Sequence, residues 1–431
     1  MKKYENYKPS GVEFIGDIPE HWEVRKLKYI MNIIRTGTTP DTKNEEYFNG
    51  DINWFKPENL NESILNFATE RVTQFALESN KVKMLQEDSI LVVGIGATSG
   101  KTAYLNIEAT FNQQITGFHS FENCNKYYYY IFENFKLTFL QLASYTTLAI
   151  LNNEFFKSFI VLLPPLDEQE KIANFLDTKN QQIEEFIKDK QNQITLLKEQ
   201  KEAIINQAVT KGLDENVELK NSGIEWIGDI PEYWDMLKVT HLFNKIGSGT
   251  TPLTSNSDYY DDGTIYWVNS GDLNNGFVER SSKLITQKAI NEVSSLKMYK
   301  QGALIIAMYG ATIGKLGILD VNASVNQACC VLDDSSKMIN KFAFFWFLVN
   351  KQNIINLGIG GGQPNISQDI IKSLRIQTPP KNEQIKLIKY IETELSKINK
   401  VIKQIQKEID LIKEYKISLI SEVVTGQIDV R

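Results

Sequence analysis

Ser10-Gly-Val-Glu-Phe-Ile-Gly-Asp-Ile-Pro-Glu-His-Trp22 returns, barely altered, as Ser222-Gly-Ile-Glu-Trp-Ile-Gly-Asp-Ile-Pro-Glu-Tyr-Trp234, with ten of thirteen positions identical. The offset of 212 residues is about half of the 431-residue chain, so an internal duplication precedes any guess at a fold. The correspondence continues in order. Gly37-Thr38-Thr39-Pro40 matches Gly249-Thr250-Thr251-Pro252, and Trp54 pairs with Trp267. Gly96-Ala97-Thr98 with Gly100-Lys101 matches Gly310-Ala311-Thr312 with Gly314-Lys315, and Asn112-Gln113 matches Asn326-Gln327. Pro164-Pro165 with Glu168-Gln169 matches Pro379-Pro380 with Glu383-Gln384, and Val209-Thr210 matches Val424-Thr425. Two similar surfaces on one chain suit a target with two similar ends.

Each half has one plan: a globular part, a Pro-Pro break, then a long helix. Ser89-Ile-Leu-Val-Val-Gly and Ala303-Leu-Ile-Ile-Ala-Met read as buried strands, and 30–39 and 242–251 as apolar stretches closing on Gly-Thr-Thr-Pro turns. The aromatic-rich 127–142 and 341–357 read as helices. From Glu168 to Thr210 there is no Gly or Pro. Apolar residues recur there at Ile172, Leu176, Ile183, Phe186, Ile194, Leu197, Ile204 and Ala208, and in the second copy at Leu387, Ile391, Ile398, Val401, Ile405, Ile412 and Leu419. That rhythm is an a/d seam, with polar residues such as Lys190, Gln193 and Glu394 setting its register. A lone helix of this kind is marginal. The expectation is an antiparallel pair, each helix about 65 Å long; the competing reading is two separate helices, each capping its own domain.

Composition bounds the rest. A hydrophobic content of 42% supports several cores, and no run of eighteen apolar residues marks a membrane span. The polar start at Met1-Lys2-Lys3-Tyr4-Glu5 reads as no secretory signal, so the expected compartment is the cytoplasm. Cys124, Cys329 and Cys330 form no spaced framework and read as reduced, while three histidines exclude a histidine-rich metal site. A net charge of −6 weighs against a strongly basic nucleic-acid binder without deciding the matter.

Gly94-Ile-Gly-Ala-Thr-Ser-Gly100-Lys101-Thr102 resembles a phosphate loop. Its spacing fails, because Ile95 stands where the first glycine belongs and Leu316 follows Lys315 in the duplicate. The remaining readings are a tight turn presenting Lys101 and Lys315 to a DNA phosphate, or a purely structural turn. No Asn/Asp-Pro-Pro-aromatic methyltransferase motif occurs, since Leu163 precedes the first Pro-Pro and Thr378 the second. The chain reads as a recogniser and not a catalyst.

The Gly-Asp-Ile-Pro-Glu-x-Trp blocks, Gly-Thr-Thr-Pro turns, Pro-Pro-x-x-Glu-Gln helix entries and Val-Thr helix ends together resemble the specificity subunit of type I restriction–modification systems, over essentially the whole chain. The resemblance implies an α+β chain with two pseudo-repeated target-recognition domains joined by two long antiparallel coiled-coil helices. Their expected spans are 1–166 for the first domain, 167–214 for the first conserved spacer, 215–380 for the second domain and 381–431 for the second spacer. It implies a split double-stranded DNA site, two adenine-methylating M subunits docked on the helices, and R subunits for ATP-driven cutting. S-adenosylmethionine, ATP and magnesium then belong to the partners, and no cofactor to this chain.

Base reading is expected where the copies diverge, between Leu60 and Ser89 and between Phe118 and Phe159, against Leu273–Ala303 and Leu332–Leu374. Candidate DNA-binding residues are Thr38, Thr39, Arg71, Lys101, Thr250, Thr251, Arg280, Lys315, Gln363 and Asn365, with Gln and Asn suited to adenine and Arg to guanine. Ile183, Ile194, Leu197, Ile398, Val401, Ile405 and Ile412 are the candidate coiled-coil or M-subunit interface. Trp54 and Trp267 read as core. The alternative function is a coiled-coil scaffold with two protein-binding ends.

Overall fold

A computed structural model describes residues 2–61, 64–145, 149–358 and 365–431. The chain divides into two compact units, Met1–Lys190 with Gln406–Arg431, and Gln191–Ile405. The first unit contains a five-stranded sheet built from β1 (Ile33–Thr36), β2 (Ile64–Leu65), β3 (Ser89–Val93), β4 (Thr102–Leu105) and β5 (Ile115–His119), in the order β1-β5-β3-β4-β2. All neighbours are antiparallel except β2 and β4. Every residue of β3 is buried, because both sheet faces are covered. Ile90 and Val92 face the aromatic helix α1 (Asn125–Leu142), while Leu91 and Val93 join Phe55, Leu60 and Phe111 on the other side. The long helix α2 (Leu166–Lys211) follows directly on Pro165.

The second unit repeats the plan. Its sheet comprises β6 (Lys245–Ser248), β7 (Gly276–Val278), β8 (Leu304–Ala307), β9 (Leu316–Leu319) and β10 (Cys329–Asp333), in the order β6-β10-β8-β9-β7, again with one parallel pair. Over it lies α3 (Asn340–Val349), and α4 (Lys381–Val424) closes the chain. The helix expected over 341–357 is broken. Asn350 is buried and its side-chain amide donates to the Trp346 carbonyl at 2.9 Å, a local bond that competes with helix continuation, so a separate short helix, Lys351–Asn356, follows.

Each long helix gives one half to each unit. In the first unit Lys190 pairs with Glu408 at 2.7 Å and Glu184 with Lys416 at 3.4 Å. Partner numbers fall as helix numbers rise, which makes the pairing antiparallel. In the second unit Lys201 donates to Asn399 at 2.9 Å. A stripe of buried and half-buried positions runs along α2 at 172, 176, 180, 183, 187, 190, 194, 197, 201, 204 and 208, and between 180 and 204 it contains every covered position of the helix. The same set, 215 residues on, lines α4 from Leu387 to Val423. After the first turn the steps alternate three and four without exception, a heptad seam.

Ile183, Ile398 and Ile405 are buried in it, and Ile194, Leu197 and Ile412 half-buried. Val401 is not in it. It is 42% exposed, as its counterpart Phe186 is 39% exposed, and Ile402 and Ile187 hold the seam positions. The physical reason is phase: the step from Ile398 is four and not three, as is the step from Ile183 to Ile187. Gln193 likewise points to solvent.

The shared blocks at each helix junction form matching hydrogen-bond sets. Glu168, at the start of α2, accepts from Tyr4 and from His21 at 2.8 Å; Glu383 accepts from Tyr233 at 2.9 Å and from Trp234 at 3.3 Å. The Gln169 side-chain amide donates to the Pro164 carbonyl at 2.9 Å while its oxygen accepts from Cys124 N–H at 3.0 Å. Gln384 does the same with Pro379 and Ile339, both at 2.8 Å. Trp22 and Trp234 are fully buried against the ends of α4 and α2 respectively, in the company of Val424 and Val209. The repeated blocks are thus joinery between domain and helix.

Candidate nucleic-acid interface

The other shared motifs meet elsewhere, at one end of each five-stranded sheet. β1 runs out into Gly37-Thr38-Thr39-Pro40 and β5 starts just after Asn112-Gln113. β3 and β4 are joined by the loop that ends in Lys101. Antiparallel pairing puts all three loops at the same edge. In the second unit β6, β10, β8 and β9 bring Gly249–Pro252, Asn326-Gln327 and the loop ending in Lys315 together in the same way.

The turns are forced into place. A Cβ on Gly37 would lie 2.1 Å from the Phe111 carbonyl oxygen, and one on Gly249 1.6 Å from that of Val325. Only glycine lets the backbones approach so closely. The buried Trp54 donates its indole N–H to the Thr38 carbonyl at 3.2 Å, and Trp267 donates to Thr250 at 3.1 Å. Both tryptophans are therefore core pegs beneath the turn, not stacking platforms. The Thr38 hydroxyl donates to the Lys81 carbonyl at 2.7 Å, and that of Thr39 bonds the side-chain oxygen of Gln113. Thr251 bonds Gln327 in the same manner. Sequence reasoning aligned Gln113 with Gln327 without nominating either; an identical exposed residue in both copies was the available signal.

Lys101 and Lys315 are half-exposed and sit at equivalent places, each returning its carbonyl to the preceding strand at 2.9 Å. The Lys101 ammonium reaches Asn61 at 3.4 Å. Because β4 and β9 follow these lysines directly, the loop is a strand-to-strand turn. A phosphate loop needs a helix there, whose N-terminus would face the phosphates.

Arg71 and Arg280 are both exposed but are not counterparts. Arg71 pairs across a strand with Asn53, and Leu284 holds that place in the second unit, opposite Tyr266. Arg280 instead lines a cleft with Asp272, Asn274, Glu279 and Ser282. Asn365 is exposed, and Gln363 lies outside the described residues. The divergent span from Phe118 to Phe159 is largely interior: Phe118, Tyr127, Tyr128, Phe132, Phe139 and Phe156 are fully buried. Divergence there reflects a different core as much as a different surface.

Among the described residues no cluster of acidic, histidine and cysteine side chains is arranged to hold a metal, and no helix is long and apolar enough to cross a membrane. Cys329 and Cys330 are buried free thiols, each pushed up to about 12 chiefly by that burial.

Residues 19–196 and 231–411 match the family model for the type I restriction modification DNA specificity domain, once per half. The chain belongs to this family. As a type I restriction–modification specificity subunit it is similar along its whole length to a putative type I restriction enzyme MjaX specificity subunit of Methanocaldococcus jannaschii, 25% identical and covering 98% of that protein. The MjaVIII specificity subunit of the same organism is 26% identical over 96% of this chain and 94% of the relative. The fold resembles that of a chain from a structure concerned with complex assembly and conformational transition of the type I R-M system, with a TM-score of 0.71 at 10% identity, covering 95% of this chain and 99% of that one. It also resembles the HsdS subunit of Thermoanaerobacter tengcongensis, with a TM-score of 0.56 at 10% identity, covering 95% and 98% respectively. The family is a DNA-recognition component, and the duplicated sheet ends are where this specificity subunit presents its shared polar residues.

Proposed function

We propose that each domain of this specificity subunit reads one half of an interrupted, asymmetric double-stranded DNA site. The observation that carries the proposal is the sheet end assembled twice from the same motifs, beside segments that differ between the copies. Segments 1–166 and 215–380 act as target-recognition domains, and 167–214 and 381–431 as spacers. Thr38, Lys101, Thr250 and Lys315 approach the DNA backbone from the shared turns, where Thr39 and Thr251 hold neighbouring side chains in place. Arg71, Arg280, Gln363 and Asn365, which differ between the copies, approach base edges.

The spacer helices dock two adenine methyltransferase subunits, and R subunits join that assembly. Leu196 and Leu411, counterparts on the two helices, are exposed, as are Phe186 and Val401; such apolar pairs on otherwise polar helices suit a docking face used twice. The chain itself is non-catalytic and works in the cytoplasm, with S-adenosylmethionine, ATP and magnesium held by its partners. Methylome sequencing of cells expressing the chain with its methyltransferase should reveal one adenine motif in two unequal parts separated by unspecified bases. A continuous or palindromic motif would overturn the reading.

A further inference from the structure

Gln113 and Gln327 are exposed, occupy the same loop in each unit, and have a threonine hydroxyl bonded to the carboxamide oxygen. A carboxamide has one acceptor end and one donor end. With one lone pair of the oxygen engaged and the oxygen turned towards the threonine, the end presented to a ligand is the NH2 group, two donors and no charge.

The mounting is rigid. The threonine stands in the glycine-constrained turn pinned from below by Trp54 or Trp267. The preceding asparagine closes the loop from the other side: the Asn112 side-chain oxygen accepts from Gln114 N–H, and that of Asn326 from Ala328 N–H, both at 3.1 Å. The asparagines are thereby accounted for as loop formers. The glutamines are not, because an exposed bond between two neutral side chains adds little to stability. Yet the pair persists in both copies while neighbouring segments have drifted apart.

We propose that Gln113 and Gln327 are the neutral backbone clamps of this subunit, donating their amide hydrogens to phosphate oxygens, with Thr39 and Thr251 as positioning residues. The proposal rests on the reading of each domain as a DNA reader. If the halves recognise different sequences, a residue identical in both carries no sequence information, and the phosphates are the feature common to every sequence. An uncharged donor also displaces no counterions, which suits a chain with a net charge of −6.

The test uses the full chain assembled with its methyltransferase subunit. Binding is measured on DNA carrying the wild-type motif and on DNAs altered in either half. Gln113→Ala should weaken binding about tenfold, the loss of one hydrogen bond to a charged acceptor. The loss should be equal on every DNA, with the methylated motif and the salt slope unchanged. Lys101→Ala, by contrast, should lower the salt slope by about 0.9. Gln113→Glu, nearly isosteric, should lose more, since it points a carboxylate at a phosphate. Thr39→Val should cause a loss that disappears in the Gln113→Ala background. A relaxed base preference in one half would make the glutamine a base reader and overturn the proposal, as would unchanged binding with equal melting temperatures. Failure of the unmodified complex to bind its motif would instead sink the DNA-reading function itself, so the two failures are distinguishable.

Discussion

Glu133 and Leu348 hold the same turn of α1 and α3, 215 residues apart, and differ in whether a proton matters. One carboxylate oxygen of Glu133 is buried without a hydrogen-bond partner. Burial raises the group to about 7 from an ordinary 4.5; the Tyr129 hydroxyl and the Lys416 and Lys126 ammonium groups pull it back, and Glu184 pushes it further. The folded chain therefore holds this proton between pH about 4.5 and about 7, where the unfolded chain has released it. Stability falls as pH rises through that window and stays low above it. Glu133→Leu, copying the second unit, should melt higher than the parent at pH 8, and the advantage should shrink towards pH 5. A pH-independent difference in thermal unfolding would show that the carboxyl titrates normally.

On the scale of the helix, Val401 and Ile402 are adjacent apolar residues, and only one lies in the seam. Ile402→Asp should lower the melting temperature markedly, since it places a charge in a packed stripe. Val401→Asp should leave folding within about 0.5 kcal/mol of the parent. If it nevertheless prevents assembly with the methyltransferase in size-exclusion chromatography, the exposed stripe is the docking face. The sequence carried the helices clearly, through the Pro-Pro entries and the long absence of Gly and Pro. It carried their phase less well: Lys190 was legible as a seam position, but Lys201 and Lys416 occupy others that a count of apolar residues skips. Their stems lie along the stripe while their ammonium groups reach Glu408, Asn399 and Glu184. The strands were legible as apolar runs, and the site motifs as repeated words. What no linear reading supplied was their convergence, which depends on a strand order that brings Thr39 to Gln113 across 74 residues. Nor did it separate Arg71 from Arg280, nominated together, of which one stands on a strand opposite Asn53 and the other lines a cleft between strands.

For the molecule as a whole, two units with the same plan keep separate cores and separate sheet ends. Recognition should then be separable too. Arg280→Ala should alter the methylated motif in one half and leave the other untouched, as methylome sequencing would reveal; changes in both halves would mean that the readers are not independent. The uncharged Thr39–Gln113 and Thr251–Gln327 pairs carry one more implication. A cell under osmotic stress accumulates potassium, and proteins that cling to DNA through lysine alone are shed as it does so. A chain that secures part of its hold with amide hydrogens keeps that part through such a shock, and so gives up less of its grip than one relying on lysine for all of it.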